Sequence, residues 1–393
     1  MPFSKLLLAV FLLLPFVACG DGSGSRSAVP PNNIQAINVN AGPAGNYVNG
    51  VFTTVTVCAP GSSNCQAVKG VLVDTGSFGL RVLSSALTVP LTQQNDSSGR
   101  AVVECAQFAL GVTWGPVQTA DVKIAGEIAP SIPVQVIGDP DFSSVPSGCS
   151  SQGAPQQDLN GLGANGILGI GNFIADCGPA CQPGTSNNPG FYYGCTASSC
   201  QVITLNQNQQ VQNPVAAFAA DSNGVLVDLP STGNAPSLSG SLIFGIGTQN
   251  NNALGNAQVL TVDGSGNITT DFKSKTNIPS FLDTGSNGYF FLDSSTTGVP
   301  TCPAPNDGFY CPSSPADLSA TNSGTNNASN TVNFTIENAN TLFSNLSDNV
   351  FPTLGGPNTG IFDWGLPFFY GQKVFVAIEN RNTPGGTGPF VAY

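Results

Sequence analysis

The sequence predicts an all-β protein made of two pseudo-symmetric lobes, and three observations support this. Charged residues make up only 8% of the 393-residue chain, whereas Gly (47) and Pro (30) are abundant. Such a composition is typical of strands and turns rather than helices. The tetrapeptide Asp-Thr-Gly-Ser occurs twice, at residues 74–77 and 283–286, each time after an apolar run. Because the chain is long enough to bury two cores, the repeat predicts two related lobes that bring two carboxylates together.

Alternating and β-branched segments place the strands along the chain. The main predicted strands are 47–57, 67–73, 101–110, 116–124, 225–227, 241–245, 259–262, 268–272, 281–282 and 374–379. The first two form a hairpin that ends at Asp74, and the next two form a second hairpin with its tip at 111–115. The polar tract 319–330 is predicted to be a loop.

Charge and missing residue types exclude several function classes. Ten Lys and Arg against 22 Asp and Glu give a net charge of −12, and nucleic-acid binding needs clustered cations. The chain contains no histidine, which excludes Ser-His-Asp and Cys-His nucleophilic machinery and the usual imidazole ligands of hydrolytic zinc. Carboxylates must therefore carry any hydrolysis.

The N-terminus predicts export and anchoring. Residues 1–18 have a short positive region, an apolar core and small residues before Cys19, as in a bacterial lipoprotein signal peptide. Cys19 would be lipidated, the alternative being an ordinary signal peptide with an incidental cysteine. Gly20 after the cysteine favours the outer membrane, with the face left open. Residues 19–45 are predicted to be the anchor and a flexible tether, and the first strand is expected near Tyr47.

Ten cysteines remain once Cys19 is set aside from the 11, and an exported chain favours five disulfides. Short polar loops separate Cys58 from Cys65 and Cys302 from Cys311, so each of these two pairs is predicted to be bridged. Cys105 and Cys149 would then pair by elimination. The remaining four form a cluster that predicts two bridges in unspecified pairing, the alternative being a thiolate metal site: Cys177, Cys181, Cys195 and Cys200.

The order of motifs resembles that of the pepsin-like aspartic proteases over nearly the whole mature chain. The corresponding segments are the Asp74 loop, a flap hairpin at 105–124, Ile167-Leu168-Gly169, Ile243-Phe244-Gly245, the Asp283 loop and Trp364-Gly365-Leu366 before a Val-Phe-rich strand. The resemblance implies an N-terminal lobe at 46–248 and a C-terminal lobe at 249–393. The chain also resembles a group of proteobacterial lipoproteins of unknown activity that carry a duplicated Asp-Thr-Gly.

Each loop residue has a role in this chemistry. Asp74 and Asp283 would share one proton, because two adjacent carboxylates cannot both ionise cheaply. Gly76 and Gly285 allow the turn and bring backbone N–H groups toward the carboxylates. The roles of the four hydroxyl residues follow from the resemblance. It implies that Ser77 and Ser286 orient the carboxylates. It also implies that Thr75 and Thr284 form a grip across the lobes.

Three features depart from the family pattern, one being Gly79, which stands where the family often has Asn. The family usually pairs a flap tyrosine with a tryptophan after the first aspartate, but here Arg81 stands at that downstream position and the flap hairpin has no tyrosine. Phe108 or Trp114 could cover the cleft instead, or Trp114 could be a packed aromatic of the hairpin tip. Asp363 interrupts the second apolar-apolar-Gly segment, where a third carboxylate would either raise the pKa values of the pair or face solvent.

The sequence therefore predicts an aspartic endopeptidase of the bacterial cell envelope that needs no metal or organic cofactor. The expected substrate is a peptide or an unfolded protein, and the protein is expected to be a monomer attached to the membrane through Cys19. The alternative is a catalytically inactive lipoprotein of the same fold that binds a peptide or another ligand in its cleft.

Overall fold

The computed structural model describes residues 32–393, and strands dominate them. In this part of the chain the strands are β1 (Ile34–Asn40), β2 (Gly50–Cys58), β3 (Cys65–Asp74), β4 (Phe78–Leu83), β5 (Thr92–Gln93), β6 (Ala101–Phe108), β7 (Gly111–Ile124), β8 (Glu127–Ile137), β9 (Gly166–Ile170), β10 (Tyr192–Cys195), β11 (Cys200–Val202), β12 (Gly224–Leu229), β13 (Leu238–Phe244), β14 (Val259–Thr261), β15 (Ile268–Phe272), β16 (Lys275–Leu282), β17 (Tyr289–Leu292), β18 (Ala316–Ser323), β19 (Ser329–Ile336), β20 (Gly355–Gly356), β21 (Asn358–Trp364), β22 (Gln372–Ala377), β23 (Asn382–Thr383), β24 (Gly386–Thr387) and β25 (Phe390–Ala392).

Helices in the same residues are single turns. The α-helices are α1 (Ser147–Ser150), α2 (Leu159–Leu162), α3 (Ser294–Thr297) and α4 (Ala339–Leu342). None of the helices in residues 32–393 could cross a bilayer, since none combines the required length and apolarity. The all-β prediction is therefore confirmed.

The strands form two barrel-like lobes. A 16-stranded sheet runs in the order β11-β10-β6-β7-β8-β4-β9-β3-β2-β1-β13-β12-β22-β25-β14, with β5 beside β7, and a further β7–β2 pairing closes its first part into a barrel. A second sheet has seven strands in the order β19-β18-β15-β16-β21-β17-β20 and forms the other lobe. The bilobal pepsin-like architecture expected from the sequence is confirmed.

The predicted tether is wrong over its last part. β1 lies inside residues 19–45 and pairs antiparallel with β2 and with β13, so the first strand begins at Ile34 and not near Tyr47. Its alternating pattern is hidden among polar residues, and part of its burial depends on β13, a strand about 200 residues away. The predicted signal peptide (1–18), Cys19 and the rest of the tether lie outside the described residues.

The two lobes repeat one arrangement around the Asp-Thr-Gly-Ser loops. In the first, β3 pairs parallel with β9, which pairs antiparallel with β4. In the second, β16 pairs parallel with β21, which pairs antiparallel with β17. The registers match, because Leu168 lies opposite Val73 just as Trp364 lies opposite Leu282. Each aspartate therefore follows an equivalent pair of strands whose ends next to the loop are largely buried.

Five disulfides staple the loops, which confirms the prediction of five bridges. The pairs are Cys58–Cys65, Cys105–Cys149, Cys177–Cys181, Cys195–Cys200 and Cys302–Cys311. The four clustered cysteines thus form two short bridges, as the first of the two alternatives predicted.

Two local predictions are wrong. The second hairpin turns at residues 109–110, because β7 begins at Gly111 and pairs with Phe108, so the predicted tip at 111–115 lies within the strand. The tract 319–330 is not a loop but most of the β18–β19 hairpin, in which Ala316 pairs with Ile336. Most of its polar residues are at least partly exposed, Asn322 being buried, on a sheet whose other face is covered, a case in which composition hides a strand.

Candidate active site

The two loops grip each other through their threonines. The Thr75 backbone N–H donates to Thr284 Oγ1 at 3.1 Å, and the Thr284 N–H donates to Thr75 Oγ1 at 3.0 Å. Each hydroxyl in turn donates across the lobe boundary at 2.8 Å, Thr75 to the Leu282 carbonyl and Thr284 to the Val73 carbonyl. All four hydrogen bonds are buried, so the grip fixes the distance between the loops.

The two carboxylates receive the same pair of hydrogen bonds. Asp74 accepts from the Gly76 N–H at 2.8 Å and from the Ser77 hydroxyl at 2.5 Å. Asp283 accepts from the Gly285 N–H at 2.7 Å and from the Ser286 hydroxyl at 2.8 Å. These bonds orient both carboxyl groups in the same way and leave their remaining lone pairs for each other and for a ligand.

Glycine is required in both loops because each carboxyl group packs against the opposite loop. A Cβ atom on Gly76 would lie 2.7 Å from Cγ of Asp283, and one on Gly285 would lie 2.8 Å from Cγ of Asp74. Any side chain at either position would push the two carboxyl groups apart. The structure therefore brings all eight predicted loop residues into one cluster.

The electrostatics of the pair favour one retained proton. Burial and then the negative charge of Asp283 raise the pKa of Asp74 from 3.8 to about 8, against the opposing hydrogen bonds from Ser77 and Gly76. Asp74 is only 6% exposed, so water screens this repulsion poorly. The carboxyl pair is thus set up to hold a single proton well above the range of a free aspartate.

A pocket of about 190 Å³ lies beside the two loops and is lined by the neighbours of both aspartates, Thr75 and Leu282, but not by the aspartates themselves. Thr75, Gly76 and Phe78 line it on one side, and Gly266, Ile268 and Phe281 line it on the other. No charged side chain belongs to its lining within the described residues. The arrangement suits an uncharged side chain held next to the carboxylates.

The two flap candidates have different places in the hairpin. Trp114 is fully buried opposite Cys105, packs edge-on against Tyr193 at 5.2 Å and donates its indole N–H to the Phe142 carbonyl at 2.8 Å. It is therefore a core residue of the hairpin and not a cover of the cleft, because the hairpin turns at residues 109–110 and Trp114 lies within β7. Phe108 stands at the end of β6 and is half-buried.

Arg81 takes the place of the tryptophan expected in the family pattern and contacts this hairpin. Its guanidinium carbon lies 5.5 Å from the centre of the Phe108 ring, a cation–π contact. The guanidinium donates to Glu104 at 2.5 Å and to Asp176 at 3.0 Å, and all three side chains are buried. A buried ionic cluster thus positions the end of the hairpin, in place of the tyrosine–tryptophan pair that the family pattern implies.

Asp363 is buried and does not face solvent. It is 6% exposed, and its Oδ1 atom has no hydrogen-bond partner among the described residues. Burial, followed by the charge of Asp283, raises its pKa well above the ordinary range, while the nearby Ser286 hydroxyl opposes the shift. Of the two readings that the sequence left open, the structure supports a third carboxyl beside the pair.

Two site residues were missed by the sequence analysis. Tyr47 packs on Phe52 at 5.4 Å, and burial followed by the charges of Asp74 and Asp283 raises its pKa to about 12. Nothing in the local sequence marks it, since its proximity to both aspartates comes from the lobe packing.

The second missed residue is Asn49, which clamps the lobes together. Its side-chain amide donates to the Asn287 carbonyl at 2.9 Å and to the Phe351 carbonyl at 2.8 Å. Its Oδ1 accepts from the Tyr370 hydroxyl at 2.9 Å. Asn49 has a φ of 49° and precedes a glycine, a turn signal that could have drawn attention to it.

Comparisons with known proteins agree with this architecture. The crystal structure of an aspartic proteinase from Irpex lacteus matches with a TM-score of 0.51 and 15% identity, over 91% of this chain and 96% of that chain. A likeness at this identity shows the fold alone. No curated protein matches the chain. Residues 30–393 match the family described as "Protein of unknown function (DUF3443)", and the chain belongs to that family.

Proposed function

We propose that this protein is an aspartic endopeptidase in which Asp74 and Asp283 activate a water molecule for attack on a peptide bond. The observation that carries the proposal is the matched hydrogen bonding of two adjacent carboxyl groups, together with the raised pKa of Asp74. Two buried carboxyl groups that lie close together and share one proton are costly to build, and they suit acid–base catalysis.

The chemistry requires one ionised and one protonated carboxyl group. The ionised group accepts a proton from water as the water oxygen attacks the carbonyl carbon, and the protonated group donates to the carbonyl oxygen. The proton then passes to the leaving amine nitrogen as the C–N bond breaks. Because the pair titrates as a unit, neither carboxyl group can supply both functions alone.

The substrate class follows from the cleft. The pocket beside Gly76 carries no charged side chain in the described residues, so an extended peptide with an uncharged side chain at this position is favoured. The Phe108 end of the hairpin would close over such a peptide.

We also propose that the protein works in the bacterial cell envelope, attached through Cys19. The lipoprotein-like pattern at 1–18 supports this, and five disulfides suit an oxidising compartment. Labelling the expressed protein with a radioactive fatty acid would test it, with Cys19→Ser as the control; unchanged labelling of the variant would contradict lipidation.

The deciding experiment is a cleavage assay on unfolded protein from acid to neutral pH, with and without pepstatin. We expect cleavage that pepstatin inhibits and that Asp74→Asn or Asp283→Asn each abolishes. The exposed Asp307→Asn variant is the charge-matched control and should cleave normally. Saturable peptide binding without cleavage would instead support the binding protein of the same fold.

A further inference from the structure

The hairpin formed by β6 and β7 has a neighbour along each of its edges. On the β6 side the neighbour is β10, in which Tyr192 pairs with Glu104. The Cys105 N–H extends this pairing toward the tip by donating to the Phe191 carbonyl at 2.7 Å. On the β7 side, β8 pairs only with residues 117–124, so the part of β7 nearer the tip needs another partner.

The segment between α1 and α2 supplies that partner. The Val112 N–H donates to the Ala154 carbonyl at 3.0 Å, and the Gln156 N–H donates to the Val112 carbonyl at 2.7 Å. The Trp114 N–H donates to Gln157 Oε1 at 2.9 Å, and the Gln157 side-chain amide donates back to the Trp114 carbonyl at 3.1 Å. Both edges of the hairpin are therefore hydrogen-bonded almost to its tip.

The two faces of the hairpin are covered as well. On one face, Glu104 binds Arg81 at 2.5 Å and the Thr113 hydroxyl donates to Gln135 Oε1 at 2.7 Å, and all four side chains are buried. On the other face, the hairpin shares a small buried cluster with the loops that cover it. Its members, two of which form the disulfide to α1, are Val103, Cys105, Val112, Trp114, Cys149, Tyr193 and Cys195.

Only the tip of the hairpin emerges from these contacts. Ala109 and Leu110 are exposed, Leu110 by 86%, whereas the strands behind them are buried on both faces. To swing outward as a unit, the hairpin would have to break the hydrogen bonds on both edges, open the apolar cluster and separate a buried ion pair. Segments held by buried contacts of this kind rarely open on their own, whereas exposed tips open readily.

We infer that the β6–β7 hairpin is a fixed wall of the cleft, that only its tip at 107–110 adjusts to a bound peptide, and that a substrate enters lengthwise as a single extended chain. A chain that enters past a fixed wall needs a free end, so a closed loop cannot be inserted from the side that the wall covers. The inference rests on the proposed function for its substrate, but the rigidity of the hairpin does not depend on any activity.

Hydrogen exchange of the mature protein, followed by mass spectrometry, measures the rigidity without a substrate. We expect the amides of 102–106 and 111–116 to exchange as slowly as those of β9, the buried strand beside the first aspartate loop. The amides of the exposed tip should exchange faster. Exchange at 102–106 and 111–116 that is about 100-fold faster than in β9 would show that the hairpin opens by itself, and the inference would be wrong.

Removal of one restraint should loosen the hairpin while the rest of the lobe stays folded. In Cys105→Ser/Cys149→Ser, exchange at 102–106 and 111–116 should become at least about tenfold faster, because the hairpin is no longer tied to α1, and exchange in β9 should not change. Cys302→Ser/Cys311→Ser is the matched control, since it removes a disulfide of the other lobe, and it should leave the hairpin unaffected.

A milder variant keeps this test available if the cysteine variant does not fold. Gln157→Ala leaves the Trp114 N–H without its acceptor and should also speed exchange at 111–116. Unchanged exchange of the hairpin in the folded variants would contradict the role of these contacts.

A pair of peptides tests the mode of entry. One is a linear substrate, and the other is the same sequence joined head to tail into a large ring. We expect wild type to cleave the linear form with a kcat/KM at least about tenfold above that of the ring, and Cys105→Ser/Cys149→Ser to lower this ratio by more than about half. Cys302→Ser/Cys311→Ser should keep the wild-type ratio.

The two proposals fail in different ways. An unchanged ratio in Cys105→Ser/Cys149→Ser, or equal cleavage of both peptides by wild type, would overturn lengthwise entry. If wild type cleaved neither peptide, the proposed function would fail, whereas the exchange measurements would still decide whether the hairpin is a fixed wall.

Discussion

The two Asp-Thr-Gly-Ser loops share one backbone arrangement but differ in the buried charges behind them. Seven residues after Asp74 stands Arg81, paired with an isoleucine, and seven residues after Asp283 stands Phe290, paired with Asp363. The N-terminal lobe thus buries a cation beside two carboxylates. The C-terminal lobe buries a carboxyl group, and among the described residues no cation acts on it.

This contrast separates what the catalytic arrangement needs from what each lobe adds. The threonine grip and the two glycines are duplicated, so they set the geometry of the carboxyl pair. The positions behind them are free to differ. In one lobe they hold the end of a hairpin through Arg81 and Phe108, and in the other they place a carboxyl group behind Ser286.

The largest expected effect tests whether the two aspartates act as one unit. Asp74→Asn and Asp283→Asn should each lower kcat by at least about 10⁴-fold, and the double variant should lose no more than either single variant. Steady-state kinetics on a peptide substrate measures this. A tenfold difference between the two single variants, or additive losses, would show that the lobes contribute separately.

The next effect concerns the buried ionic cluster of the N-terminal lobe. Arg81→Met leaves Glu104 and Asp176 buried without their cation, so we expect a loss of about 3–5 kcal/mol in the free energy of unfolding. The equivalent change in the C-terminal lobe, Phe290→Met, removes only part of a half-buried ring and should cost about 1 kcal/mol. Denaturant unfolding of both variants decides the comparison, and equal losses would contradict it.

The threonine grip should show no difference between lobes. Thr75→Val removes two buried hydrogen bonds and leaves the Thr284 N–H without its acceptor, and Thr284→Val does the reverse. Each should lower the free energy of unfolding by roughly 2–4 kcal/mol. Valine at the exposed Thr387 is the matched control and should change it by less than about 0.5 kcal/mol. Losses that differ by more than twofold between the lobes would break the symmetry.

The most gradual effect, spread over several pH units, is the pH dependence of stability. Because folding raises the pKa of Asp74 from 3.8 to about 8, the native state binds more protons than the unfolded state between these values. The free energy of unfolding should therefore decrease as pH rises through this window, by at most about 1.4 kcal/mol per pH unit from this group. The free energy of unfolding of Asp74→Asn should therefore rise relative to that of wild type over the same range. Thermal or denaturant unfolding at several pH values measures both. A difference in free energy that stays constant with pH would contradict the raised pKa.

Local patterns predicted much of the fold and of the site. The two loops and the hairpin that ends at Asp74 were both found, because each depends on residues close in sequence. Among the strands that escaped detection, β1 and the β18–β19 hairpin did so for a physical reason. β1 is buried only by β2 and β13, and the β18–β19 hairpin buries one face beneath polar residues.

The sequence alone determined which residues form the carboxyl pair, because a strand followed by Asp-Thr-Gly-Ser encodes a turn, a donor and a carboxylate within four positions. Tertiary structure decided what surrounds that pair. The grip, the Asn49 clamp, the approach of Tyr47 and the burial of Asp363 all join residues from distant parts of the chain. Their hydrogen bonds and pKa values depend on desolvation and on neighbouring charges, which exist only once the two lobes have packed together.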